Sequence, residues 1–216
     1  MATSHTAGSL EVVSVPAGPI ETNAFLVIEP KTRHALVVDV PPDAKDALVK
    51  EIHARNLTVD AIIITHGHWD HIGDAEALRR ELGAPLLAHE LSRPRLEQPG
   101  SSTFELPFQI EPVTVDRWVR AGDEVALGDR TFSVMFLPGH EPGHIALYGQ
   151  DDHLLLSGDV LFPNGHGRID IEGANRADME ASLRQLMELP DGTVVYNGHG
   201  LPTTIGAERW WMPRVG

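Results

Sequence analysis

Between Ile64 and Asp74 the chain reads "ITHGHWDHIGD", which places His66, His68, Asp70 and His71 within six residues. Imidazoles and carboxylates are the ligands that hold divalent cations in a protein without thiolates, so this density points to metal chemistry. On a helix, positions two apart diverge by about 200°, so His66 and His68 cannot share an ion there. On a loop leaving a strand, with Gly67 letting the backbone turn tightly, the two rings can converge. Asp70 and His71 are read on the same loop. Four adjacent ligands strain a single tetrahedral ion but suit two ions side by side. The remaining ligands are expected where other apolar runs end. "FSVMFLPGH" delivers His140, "HLLLSGD" delivers Asp159 and "TVVYNGH" delivers His199. Binding sites in open α/β sheets collect beyond the carboxyl ends of strands, so these segments are expected to meet at one sheet edge.

Such ligands need an α/β scaffold, and the pattern of the chain supplies one. Strands are expected at 10–15, 24–29, 35–40, 61–65, 85–89, 130–137, 145–148, 153–156 and 193–196. Helices are expected over 44–55 with Asp43 as N-cap, over 75–82 opened by Asp74 and closed by Gly83, and over 176–189. In the last, Met179, Leu183, Leu186 and Met187 share a face. Region 91–116, with Pro94, Pro99, Pro107 and Pro112, reads as a long, mostly irregular connection: a lid or binding loop, or a surface excursion without function.

With 216 residues the chain is read as a single domain spanning 1–216, large enough for a proper core. Its 42% hydrophobic and 22% charged residues place it outside the disordered class. There is no Cys, which removes disulfides, thiolate ligands and a Cys nucleophile together. A net charge of −14 repels phosphate backbones, so nucleic acid is not an expected partner, and bound cations would offset part of that charge. No apolar run reaches the roughly 18 residues of a membrane span, and the N-terminus does not read as a signal peptide. The expectation is a cytoplasmic protein with a small-molecule substrate and no membrane partner, with a homodimer as an option.

"THGHWDH", "PGHEPGH", "SGDVLF" and "NGHG", in this order and at these separations, resemble the metallo-β-lactamase-fold hydrolases, and most closely glyoxalase II (hydroxyacylglutathione hydrolase) and its short relatives. The likeness runs from about residue 12 to 209. It implies a four-layer αβ/βα sandwich and a short form without the helical C-terminal domain of full-length glyoxalase II. It also implies a ligand set: His66, His68 and His140 on one ion, Asp70, His71 and His199 on the other, and Asp159 bridging them. Two divalent ions are implied, zinc first, with iron or manganese as alternatives. Asp39 falls on the family's buried Asp, where it either orients a ligand imidazole or simply starts the turn "DVPPD".

The chemistry implied is hydrolysis. Two ions roughly 3.5–4 Å apart bring the pKa of a shared water near 7, and the resulting hydroxide attacks a carbonyl while Asp70 and Asp159 hold it in line. A thiol of pKa about 8.5 departs without a strong acid, which favours a thioester. Arg168, in "FPNGHGRIDIEG", stands where glyoxalase II has a Lys that contacts its substrate; it either clamps a substrate carboxylate or pairs with Asp170 or Glu172. Asp170 replaces a Tyr of that family. His166 is read as an exposed loop residue, His144 as packing behind His140, and His5, His34, His53, His89 and His153 as surface or local structural residues. Trp210 and Trp211 either line a pocket or dimer contact or pack on the sandwich. The rival within the fold is a persulfide dioxygenase with one iron on His66, His140 and Asp159. A catalytically silent metal-binding module is the rival from another class.

Overall fold

Strands that are apolar at nearly every position need a layer on each face, and the chain provides two sheets and two sets of helices to meet that need. The computed structural model describes residues 2–100 and 105–212. The first sheet runs in chain order through β1 (Thr3–Ala7), β2 (Leu10–Ala17), β3 (Thr22–Glu29), β4 (His34–Val38), β5 (Thr58–Ile63), β6 (Leu86–His89) and β7 (Arg117–Val119). The second contains β8 (Glu124–Leu127), β9 (Arg130–Phe136), β10 (Ile145–Gly149) and β11 (Leu154–Gly158), with β12 (Leu161–Phe162) and β13 (Gly165–His166) set apart as a small hairpin. Two further strands, β14 (Val194–Asn197) and β15 (Thr203–Thr204), complete it in the order β15-β14-β11-β10-β9-β8. Helices are α1 (Lys45–Arg55), α2 (Trp69–Ile72), α3 (Ala75–Leu82), α4 (Arg93–Glu97), α5 (Arg176–Leu186) and α6 (Ile205–Glu208).

Alternation along each strand sorts side chains into three cores. Phe25, Val27, Leu36, Val38 and Ile63 face Phe132, Leu147, Leu156 and Tyr196 between the sheets. Their neighbours Leu26, Val37 and Ile62 pack outward against Leu48, Ile52 and Leu78 of α1 and α3. On the other side Leu155 and Val195 meet Met179, Leu183 and Leu186 of α5. The result is the four-layer αβ/βα sandwich. No helix among the described residues is long and apolar enough to cross a membrane.

All nine expected strands and all three expected helices are present, with shifted ends. Asp43 does not cap α1: it takes a positive φ of 66°, and Ala44 occupies the N-cap position. The α1 amide of Lys45 instead donates to Asp74 Oδ2 at 3.0 Å, so the side chain at the start of α3 caps its neighbour. Helix α5 stops at Leu186, and Asn175 caps its start by accepting from the Asp178 amide. Region 91–116 is less irregular than expected. It follows a 3-10 turn at Glu90–Ser92 into α4, where Pro94 sits in the first turn and blocks no hydrogen bond. Residues 101–104 of that region, and 213–216 of the tail, lie outside the described residues. Trp211 is buried against the α5 layer and donates its indole N–H to Glu208 at 2.6 Å, whereas Trp210 is exposed.

Candidate metal centre

Strand direction decides where the ligands go. β4 and β5 are parallel, and so are β11 and β14, while β9 is antiparallel to β10 and thus runs with β11. Five strands therefore release Asp39, His66, His140, Asp159 and His199 at one end of the sandwich. The sequence pointed to the edge of one sheet; the ligands come instead from the adjoining ends of two. Those ends are stitched together directly. The Asn23 amide donates to the Gly198 carbonyl at 2.8 Å, and the Asn23 side chain donates to the carbonyls of Asn197 and Gly200, each at 3.0 Å.

His66 and His68 lie in the turn after β5, as the sequence suggested. Asp70 and His71, expected on that same loop, are in α2, a single helical turn with His68 at its N-cap. One turn is enough to swing these two side chains around to face Asp159 and His199. Three clusters of potential ligand atoms result, each with all atoms within 4.8 Å of one another: His66, His68 and His140; His66, His71 and Asp159; Asp70, His71 and His199. All seven residues nominated as ligands from sequence converge here.

Hydrogen bonding fixes the ring orientations from behind. Asp39 Oδ1 accepts from the Thr65 amide at 2.7 Å, and its Oδ2 accepts from the Thr65 hydroxyl at 2.8 Å and from His71 Nδ1 at 2.7 Å. With the proton on Nδ1, the Nε2 lone pair of His71 points into the centre. His140 Nδ1 donates to the Arg168 carbonyl at 2.9 Å, which aims its Nε2 inward in the same way. Thr22 donates its hydroxyl to Asp70 Oδ2 at 2.8 Å. His144 packs edge-on to His140, with ring centroids 6.4 Å apart, and stacks more closely on His66, at 4.8 Å, while its Nε2 accepts from the Asp159 amide at 3.0 Å. Thr22, Thr65 and His144 carry much of this positioning. The second "PGH" hinted at His144, and Thr65 opens "THGHWDH" beside His66, but no local motif marks Thr22, which reaches the site through its pairing with His199.

Inside this shell, the polar atoms face one another without bonding. His66 Nε2, His71 Nε2, His140 Nε2 and Asp159 Oδ1 are buried and have no hydrogen-bond partner. His71 Nε2 stands 3.3 Å from Asp70 Oδ2 and 3.4 Å from Asp159 Oδ1; His199 Nε2 stands 3.3 Å and 3.5 Å from Asp70 Oδ2 and Asp159 Oδ2. Charge-assisted hydrogen bonds close to about 2.7–2.9 Å. Two ligands each about 2.1 Å from one tetrahedral ion are instead set about 3.4 Å apart. The spacing and the inward lone pairs fit divalent cations held by nitrogen and oxygen. Backbone shape fits as well: a Cβ at Gly198 would collide with Asp159 Oδ1 and His71, so only glycine lets the β14 end come this close.

Electrostatics in the metal-free chain follow from that crowding. Burial pushes His66 well down and His68 down to about 3, helped for His68 by the neighbouring charges of His140 and Arg95. Burial opposes ionisation of Asp70 and Asp159, but His71 and His199 outweigh it and hold both carboxyls well below their usual range. Burial likewise opposes the charged form of His199, yet Asp159 and Asp70 raise it to about 9. Four acidic or basic groups so strongly coupled are characteristic of a functional centre.

A cavity of about 560 Å³ opens onto these ligands. Its walls combine apolar Ile20, Trp69, Phe162 and Ile171 with polar His166, Arg168 and Arg95. His166, expected as an ordinary exposed loop residue, is half-buried and lines this cavity. Arg168 reaches the same cavity, but its guanidinium grips Asp170 with two bonds of 2.8 and 3.0 Å.

This architecture has close counterparts. The family model of the metallo-β-lactamase superfamily matches residues 17–199. Hydroxyacylglutathione hydrolase GloC of Haemophilus influenzae is 30% identical over 205 residues, covering 93% of this chain and 95% of that protein. Among solved structures, the B3 metallo-β-lactamase BLEG-1 shares 35% identity at a TM-score of 0.83, covering 94% of this chain and 98% of its own. TTHA1623 in a di-iron-bound form shares 34% identity at a TM-score of 0.80, covering 91% and 96%. Strand-end ligands, a shared site between two sheets and these matches together establish that the chain belongs to the metallo-β-lactamase superfamily.

Proposed function

We propose that this protein is a binuclear metal-dependent hydrolase acting on a small thioester. The observation that carries the reading is the set of buried ring nitrogens and carboxylate oxygens that face one another at 3.3–3.5 Å with no hydrogen bond between them. His66, His68 and His140 would hold one ion and Asp70, His71 and His199 the other, and Asp159, which clusters with His66 and His71 and stands 3.5 Å from both His140 Nε2 and His199 Nε2, would face each. Zinc is the first candidate, with iron or manganese as alternatives; such ions, when bound, supply Lewis acidity that activates water at neutral pH and polarises a carbonyl.

The chain's own groups do the rest. Asp70 and Asp159 stay ionised over the physiological range and offer oxygens that accept a proton from an attacking water and keep it in line. Thr22 and the His144-bound amide hold these carboxylates in place. The apolar walls exclude bulk water from the carbonyl, which strengthens each electrostatic contact there. A thiol leaving group, at a pKa near 8.5, departs as thiolate without assistance. The named activity of the Haemophilus relative, hydroxyacylglutathione hydrolysis, is of this class. A single-iron dioxygenase would use His66, His140 and Asp159 alone; the equally well-built cluster of Asp70, His71 and His199 favours hydrolysis.

Elemental analysis of the purified protein, followed by assay of S-lactoylglutathione hydrolysis, tests this. About two divalent ions per chain and hydrolysis that falls on the order of a thousandfold in Asp159→Asn are expected. One tightly held iron, oxygen uptake with a persulfide, and no hydrolysis after zinc or manganese is added would overturn it.

A further inference from the structure

The cavity wall carries two arginines, and their surroundings differ. The guanidinium of Arg168 is neutralised by the bidentate grip of Asp170. Arg95, on α4, donates from Nη2 to the main-chain carbonyl of Glu172 at 2.8 Å. A carbonyl orients a guanidinium but leaves its charge uncompensated. Among the described residues, no carboxylate lies within ion-pair distance of Arg95; the Glu172 carboxylate shares the wall, and the buried Glu141 carboxylate is near enough for the guanidinium to favour its ionised form.

Arg95 is held in place on two sides. A Cβ built at Gly67 would come within 2.7 Å of Arg95 Cβ, so the stem of Arg95 packs against the His66–His68 turn. One turn earlier, the buried Ser92 donates its hydroxyl to Glu141 Oε2 at 3.1 Å, and the Gly143 amide donates to the same oxygen at 2.7 Å. The start of α4 is thereby tied to the turn that carries His140. A fixed guanidinium without an ion-pair partner among the described residues, beside the ligand cluster in a cavity whose wall also holds apolar Trp69, Phe162 and Ile171, is suited to bind an anion.

We propose that Arg95 is the carboxylate-binding residue of this cavity, so that the preferred substrates are thioesters with a carboxylate at the far end of the acyl or the thiol half. This rests on the hydrolase reading of the same site. The test compares matched probes on the metal-loaded protein. S-acetyl-3-mercaptopropionate is set against S-acetyl-3-mercaptopropionamide, and N-acetyl-S-glutarylcysteamine against its glutaramoyl counterpart. The corresponding thioethers, which cannot be cleaved, are titrated by calorimetry.

Wild-type protein is expected to prefer the carboxylate in at least one pair by roughly ten- to hundredfold, in KM and in thioether affinity. Arg95→Met, which keeps the packing stem, should erase that preference, read as the ratio of carboxylate to carboxamide probe within the same variant. Arg95→Lys should retain part of it, and Arg168→Met should leave it intact. Equal affinity for carboxylate and carboxamide thioethers in both pairs, or a preference that survives in Arg95→Met, overturns the proposal. Cleavage of none of the thioesters, with the Arg95-dependent thioether preference present, would overturn the thioesterase reading and uphold the anion subsite.

Discussion

The two ends of the sandwich handle buried polar groups in opposite ways. At the end away from the ligands, each carboxylate finds donors. Asp152 accepts from the amide and hydroxyl of Ser9 at 2.7 and 2.8 Å, Glu29 from the Asp129 amide and the Thr32 hydroxyl, and Asp60 from His34 and the Gly128 amide. At the ligand end, the outer atoms of the carboxylates and imidazoles are bonded from behind, but the inward-facing His66 Nε2, His71 Nε2, His140 Nε2 and Asp159 Oδ1 are brought together and left without partners. Buried polar groups are almost always paired because leaving them unpaired costs roughly 1–3 kcal/mol each. At the first end the buried Thr193 hydroxyl has no partner among the described residues, but the polar groups named there are satisfied within the folded protein. The other is tolerable only when something further binds.

Metal removal should separate the ends most strongly. At a metal concentration a thousandfold above Kd, bound ions contribute about 4 kcal/mol, which corresponds to a Tm lower by roughly 8–16 °C after chelation. Calorimetric scans with and without chelator measure it; an unchanged Tm would mean that the ligand end is self-sufficient after all.

Matched truncations sharpen the contrast. Asp152→Ala removes the acceptor shared by the Ser9 amide and hydroxyl and should cost on the order of 1–3 kcal/mol in urea titrations, with metal affinity and activity per folded molecule unchanged. Asp39→Ala should cost comparable stability and also weaken metal binding by about 10- to 100-fold, read by competition with a chromophoric chelator. Equal effects of the two on metal affinity would erase the distinction.

The smallest effect is in pH. His199 is raised to about 9 in the metal-free chain, because Asp159 and Asp70 overcome its burial. A raised folded-state pKa gives stability that is fully present below the unfolded value near 6.5 and is lost as pH rises through 9. Metal-free protein should thus lose on the order of 1–2 kcal/mol between those values. The metal-loaded protein should not, since a ligating imidazole is neutral throughout. A parallel decline in both forms would count against ligation by His199.

What could be read from sequence follows the same division. Candidate ligands at strand ends announce themselves, because an apolar run, a turn residue and a His or Asp are consecutive, as at His66, His140, Asp159 and His199, which the fold brings together. Strands buried on both faces were equally visible. By contrast β1, with four of its five residues exposed, has no apolar alternation to detect, and β7 and β8 are short edge or near-edge strands. Helix α2 is one turn, too brief for periodicity, and the prolines that made 91–116 look irregular concealed α4 because Pro94 lies where a helix tolerates it. Arg95 was hidden with it. Arg168 drew notice through its motif, but its ion pair with Asp170 depends on side-chain geometry that spacing alone does not encode.

The stitching of the two sheets through Asn23 has a consequence for how a bound ion leaves. Side chains of the first sheet and the second come together where Asn23 bonds the backbone around Gly198. A cation held from both sheets would act as a clasp across that seam. The rate at which the protein sheds its ions should then track the rate at which that seam opens.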